Sequence, residues 1–352
     1  MLDISEFKHV LAQTQVPLLS LYLNVDPAAA ENQATPAAWS IFLKNTLKRI
    51  DTHLEPTQIK LWHDLRARVE EYFGFYKPES KGLALFYGAT IEQTYPLAAR
   101  VANQAAFGEP LVTPLLWLLD EYEPYVVVVV NHSKATLLTV SLGQIVSQED
   151  LLLEMKTAEW HEKTFMPGGG YGMHASKRRD LFNNRVEAQH ERFHKQVAQY
   201  AQALCEKQEA KRLVLGGDHE AAHAVFDLLP PQVRVGVIDI AALPHYQSSA
   251  EILHKVAARV SQHERQRETA LVDELVNAAK GHGRAVLGQA AVEAAFEQGK
   301  VELLAAAWPG GAGVEKLALR ALRAGAEIEL VYGAAAERLA GYEGAAARLY
   351  YR

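Results

Sequence analysis

An α/β fold divided into three units is what this sequence predicts, and three observations carry it. Short apolar runs rich in strand formers, Tyr125–Val130 above all, alternate with longer stretches whose apolar residues recur at three- and four-residue spacing. That alternation is the pattern of sheets covered by helices. The 352 residues are enough for two or three domains with cores of their own. Composition is that of an ordinary globular protein, with 49% hydrophobic and 22% charged residues.

The expected units are 1–120, 121–262 and 263–352. In the first, Pro17-Leu-Leu-Ser-Leu-Tyr-Leu-Asn24 alternates as a strand and stops at Asp26-Pro27. Residues 37–73 read as helical, with apolar positions at Trp39, Phe42, Leu43, Leu47 and Ile50, then Ile59, Trp62, Leu65, Val69 and Phe73. Gly82–Gly88 is a short buried strand, and Pro110 and Pro114 mark the exit.

The second unit opens with strands at Tyr125–Asn131 and Ala135–Ser141, joined by a turn at His132-Ser-Lys134, and a further strand at Gly143–Ser147. A helix follows from about Ser176 to Gln208, its stripe drawn by Phe182, Val186, Phe193, Val197, Tyr200 and Leu204, with Arg185, Arg192 and Lys195 off it. Lys211–Leu215 reads as a strand, Ala221–Leu229 as a helix and Val233–Ile240 as a strand, an order compatible with an RNase H-like sheet. The third unit is expected as an α/β sandwich. Its helices are Glu268–Ala279, broken by Gly281-His-Gly283, then Val292–Phe296 and Val314–Arg323. Its strands are Val301–Ala307, Glu327–Tyr332 and Ala345–Tyr351.

Between the strands and the long helix of the middle unit lies Met166-Pro-Gly-Gly-Gly-Tyr-Gly-Met-His-Ala-Ser-Lys-Arg-Arg-Asp180. Gly168, Gly169, Gly170 and Gly172 remove side-chain bulk and open backbone angles closed to other residues. Such a segment builds no core; it fits a role of lying against another surface and ordering there. Lys177, Arg178 and Arg179 at its base make an anionic surface, RNA first, the expected partner. Net charge is −6, so the chain is not a uniformly basic nucleic-acid binder, and any RNA contact falls on local patches such as 174–195. Cys205 is the single cysteine, which excludes an internal disulfide and suits a cytoplasmic protein. The amino terminus lacks the basic start and apolar core of a secretion signal, and no apolar run reaches the ~18–20 residues of a membrane span.

Other chemistry has weaker support. His219-Glu220-Ala221-Ala222-His223 spells the zinc-hydrolase pattern, two histidines one helical turn apart with a glutamate as base, but a third ligand is needed and only Glu251 and His245 offer themselves. The competing expectation is that Asp218 caps this helix and the histidines face outward. A phosphate loop is absent, since no glycine precedes Lys177. Asp120, Glu121 and Asp239 could serve a metal nuclease, but each sits at a strand edge, where a solvated acid is the expectation. Cys205 is expected to be packed or partly exposed rather than nucleophilic.

The order of these pieces resembles the archaeo-eukaryotic class-1 release factor and Pelota family, in its divergent bacterial branch. Leu18-Leu-Ser-Leu-Tyr-Leu-Asn-Val-Asp-Pro27 resembles the opening strand, and the glycine loop with its helix sits where the family carries its Gly-Gly-Gln loop. Leu213-Val-Leu-Gly-Gly217, Leu229-Pro230 and Val235-Gly-Val-Ile-Asp239 resemble the rest of the middle domain, and Gly288–Gly299, Lys300-Val-Glu-Leu-Leu304 and Gly344-Ala-Ala-Ala-Arg-Leu-Tyr350 the last domain. The resemblance implies a ribosome-binding translation factor, acting in rescue or hibernation at the A site and peptidyl-transferase region. Gly168, Gly169, Gly170, Tyr171, Gly172, His174, Lys177, Arg178, Arg179 and Arg185 would meet rRNA or tRNA, and the last domain would dock a translational GTPase. It implies no cofactor and no membrane. One departure matters: Gly170 or Tyr171 stands where the glutamine positions water, and the next glutamine is Gln189, inside the helix. Water positioning tolerates little misplacement, so binding without peptidyl-tRNA hydrolysis is expected, with Tyr171 as the residue to take the glutamine's part if the protein is a hydrolase.

Overall fold

The computed structural model describes residues 16–154, 174–244 and 247–351. Contacts group the chain into two compact units, one joining Met1–Tyr122 to Gln262–Arg352, the other Glu123–Ser261. Three sheets with helices on them make the fold mixed α/β, as expected.

In the first unit, β1 (Leu18–Asn24) lies between β2 (Gly82–Tyr87) and β4 (Gln104–Gly108), and β3 (Glu92–Leu97) edges β2, all antiparallel. Leu19, Leu21 and Leu23 pack with Leu83 and Leu85 against α1 (Ala38–Asp51) and α2 (Ile59–Phe75), which contribute Leu43, Leu47, Trp62, Leu65 and Val69. The stretch 37–73, read as helical, is divided between these two helices. Pro56 lies in the gap; it lacks the N–H a helix interior needs, and Trp62 Nε1 ties the hairpin by donating to Asp51 at 2.7 Å. No sequence signal marks β3, whose residues are mostly half-exposed and include Pro96, a composition tolerated only at a sheet edge. α3 (Thr113–Glu121) is also unexpected; Pro114 sits at its start, a residue suited to the first turn.

The same unit holds a second sheet in the order β10 (Ala285–Leu287), β13 (Ala345–Leu349), β11 (Val301–Ala307), β12 (Glu327–Val331). Its one parallel pair, β11 with β12, is bridged by α9 (Ala312–Ala324). The C-terminal part of α7 (Ser249–Lys280) and α10 (Ala334–Ala340) press Val272, Leu275, Val276, Ala335 and Leu339 on this sheet, and α8 (Gln289–Glu297) completes the sandwich. Glu315 of α9 accepts hydrogen bonds from the backbone N–H groups of Val112 and Thr113 and from the Thr113 hydroxyl, capping α3 from outside. Trp117 and Trp308 stack at 5.7 Å, and Arg265 pairs with Glu121.

The second unit carries five strands in the order β7 (Gln144–Leu152), β6 (Lys134–Ser141), β5 (Tyr125–Val130), β8 (Arg212–Gly217), β9 (Val237–Ala241). The first three are antiparallel; β5, β8 and β9 are parallel. α4 (His174–Lys207) and α5 (His219–Leu228) cover one face, and Ile252, Val256 and Val260 of α7 cover the other. Burial on both faces explains why β5 is apolar at every position. The strand expected over Val233–Ile240 is shorter. Pro231 opens a turn of helix, α6 (Pro231–Arg234), before β9 begins at Val237.

Candidate nucleic-acid interface

The geometry of this site starts from α4, which begins at the end of the glycine loop. Gly168, Gly169, Gly170, Tyr171 and Gly172 lie outside the described residues, as does the expectation that the free loop is disordered. His174, Lys177, Arg178 and Arg179 fall in the first turns of α4, and their side chains too lie outside the described set. Further along, Phe193, Val197, Ala198, Ala201, Leu204 and Cys205 are buried against the sheet. Tyr200, expected in that stripe, is 40% exposed. The buried arc is centred on the small residues Ala198 and Ala201, which leaves Tyr200 at its margin, where Glu149 accepts from the phenol and raises its pKa.

Arg185, Arg192 and Lys195 are exposed. Arg185 and Arg192 stand seven residues apart, two turns, and so lie along one line of the helix. Arg192 also borders a groove of about 380 Å³ with Gln189, Gln196 and the end of β7 at Leu152–Glu154. Planar guanidinium donors on a rigid helix suit a phosphate backbone, which needs charge and reach rather than a closed pocket.

A histidine group not anticipated from the sequence holds this part of α4 to the sheet. At the C-terminal end of β5, Asn131 Oδ1 accepts from the N–H groups of Ser133 and Lys134 at 2.9 and 2.7 Å, fixing the turn that carries His132. His190 Nδ1 donates to the His132 carbonyl at 2.7 Å. His132 Nε2 stands 3.8 Å from Asp218 Oδ1, and the rings of His190 and His194 stack at 6.5 Å. His194 is buried, and its Nε2 has no hydrogen-bond partner among the described residues. Burial, then the neighbouring His190 and His132, push its pKa below the ordinary histidine value, against the pull of Asp218. Gly217 permits the close approach of β8 to β5 here: its φ is +107°, and a Cβ would sit 2.0 Å from the Val130 carbonyl oxygen. The signal available in the sequence was the one-turn spacing of His190 and His194 opposite a turn histidine.

The zinc pattern resolves into a cap. Asp218 accepts from the N–H groups of Glu220 and Ala221 at 3.1 and 3.2 Å, and His219 and His223 lie exposed with rings 4.4 Å apart. Glu251 is occupied by Ser248 at the start of α7, His245 lies outside the described residues, and no group of three or more metal-ligating side chains occurs among the described residues. Two acids expected to be solvated are instead engaged, Glu121 with Arg265 and Asp239 with Arg259. Cys205 is buried as expected, and burial pushes its thiol up to about 11. No helix among the described residues is long and apolar enough to cross a membrane.

Residues 110–261 match the family described as bacterial archaeo-eukaryotic release factor family 10. No curated protein matches. Among solved structures, an archaeal translation termination factor, aRF1, is 18% identical over 99% of this chain and 96% of its own, with a TM-score of 0.27. A ribosome-bound archaeal Pelota, seen with ABCE1, is 14% identical over 64% and 61%, at 0.46. Dom34 of S. cerevisiae, described as a translation termination-like factor interacting with Hbs1, is 14% identical over 75% and 73%, at 0.47.

Proposed function

We infer from one premise, that this chain is a divergent release-factor-like protein matching its family over residues 110–261, that it binds the ribosome and acts there in rescue or hibernation. The observation that supports this most is the line of exposed cations on α4, Arg185 and Arg192 with Lys195, following directly on Lys177, Arg178 and Arg179 in a chain of net charge −6. Local charge of that kind is what a phosphate backbone selects. The middle unit would bring the 167–174 loop to the peptidyl-transferase region, with these cations on rRNA or tRNA. Residues 1–120, 121–262 and 263–352 would serve as three functional parts, the last a docking module for a translational GTPase. A cytoplasmic location follows from this role.

The protein is expected to co-sediment with bacterial ribosomes and to dissociate as salt rises, because each neutralised phosphate releases counterions. Changing Lys177, Arg178 and Arg179 together to Glu should abolish co-sedimentation with the far-UV spectrum unchanged. Retention of binding in that variant would remove RNA contact from the first turns of this helix. Peptide release from a programmed ribosome is expected to be absent, since neither Gly170 nor Tyr171 can place water as a glutamine does. Release by the wild type that stops in Tyr171→Phe would make Tyr171 catalytic and the protein a hydrolase.

A further inference from the structure

His219 and His223 stand one turn apart at the start of α5, both exposed, with ring centroids 4.4 Å apart and planes tilted by 49°. Spacing alone does not bring rings this close. His190 and His194 have the same spacing on α4, yet their centroids lie 6.5 Å apart. Two imidazoles bound to one ion through nitrogens at about 2.1 Å have centroids roughly 4.5 Å apart when the bonds meet at about 90°, and roughly 5.3 Å apart at the tetrahedral angle. The separation on α5 is that of the 90° arrangement. Beyond this ring contact, neither histidine makes a hydrogen bond or ion pair with a described residue.

The frame beneath the pair is firm. Asp218 caps the first turn through the N–H groups of Glu220 and Ala221. Ala221, Ala222 and Val225 are buried against the sheet, so the two histidines keep their helical spacing. A helix N-terminus disfavours a cation, but the exposed carboxylates of Asp218 and Glu220 oppose that here. Two ring nitrogens leave the other positions of an ion to water. The pair can therefore hold a metal without the third protein ligand that a zinc hydrolase requires. A 90° angle belongs to square-planar and octahedral ions, and copper(II) has the highest affinity for nitrogen ligands among them.

We propose that His219 and His223 chelate one ion of the copper(II) class, bound by the two imidazoles at adjacent positions with water at the rest, and that the ion staples the first turn of α5. The site is independent of the ribosomal role given to α4. Its test uses the untagged full-length chain, stripped with a chelator and titrated with copper(II) in a buffer that does not coordinate metal.

Calorimetry should show one site well above any other in affinity, and electron paramagnetic resonance should show two nitrogen ligands at that site. His219→Gln and His223→Gln, each at an exposed position, should each weaken it by at least about tenfold, since the second ligand on one helical turn acts at high effective concentration. One equivalent of the ion should raise the melting temperature of the wild type and leave that of the double variant unchanged, because the unfolded chain does not hold the two rings together. A tight site that survives in the double variant would overturn the proposal. So would its loss in His190→Gln instead, several weak sites of equal affinity with no change in melting, or zinc(II) binding more tightly than copper(II), which would mark a tetrahedral site.

Discussion

His194 is the residue whose surroundings have the clearest thermodynamic consequence. Its folded-state pKa lies below that of the unfolded chain, because burial and the facing His190 and His132 oppose a proton there and Asp218 only partly compensates. Between the two values the unfolded chain binds more protons than the folded one, so stability is present above the ordinary histidine range and is lost as pH falls through it. The middle unit should therefore melt at a lower temperature at about pH 5.5 than at about pH 7.5. His194→Leu, similar in volume and uncharged, should flatten that dependence. An unchanged slope in differential scanning calorimetry would show that the other histidines, or none, are responsible. The same group fastens the cation-bearing stretch of α4 to the turn after β5, through His190.

At the scale of elements, α7 shows what sequence does and does not disclose. Its second half was legible from the apolar spacing of Glu268–Ala279, but the helix begins at Ser249. The starting signal was present: Ser248 and Glu251 form a capping box, with the Ser248 N–H 2.8 Å from Glu251 Oε2 and the serine hydroxyl at 2.7 Å. Ser248→Ala should cost about 1 kcal/mol of stability, measured by urea denaturation; no loss would mean that burial of Ile252, Val256 and Val260 alone sets the start of the helix. Strands buried on both faces, β5 and β11, were readable because their apolar runs admit few other placements. β3 and β4 were not, since edge pairing depends on the neighbouring strand β2 or β1 and leaves no alternation in their own residues. The basic base of the glycine loop was visible as charge in sequence. The packing of Trp39 against Phe73 was not: the rings belong to two helices, and each reads alone as part of an apolar stripe.

At the scale of the whole molecule, one unit is drawn from both ends of the chain and the other from an unbroken middle. Each sheet of the terminal unit has its own core, but α3 relies on Glu315 for its cap and on Trp308 for the stack with Trp117. A fragment of residues 123–261 should accordingly unfold in one cooperative step by itself, while residues 1–122 alone should bind a hydrophobic dye and gain order when 262–352 is supplied in trans. Dye-free, fully cooperative melting of the 1–122 fragment would show that the terminal contacts are dispensable. The arrangement also sets a timetable for the newborn protein. At typical synthesis rates of about 5–20 residues per second, α3 emerges roughly ten seconds or more before the helix that caps it, so the nascent chain must keep Leu115, Leu116 and Trp117 from other chains throughout that interval, and this delay is when a chaperone would matter most.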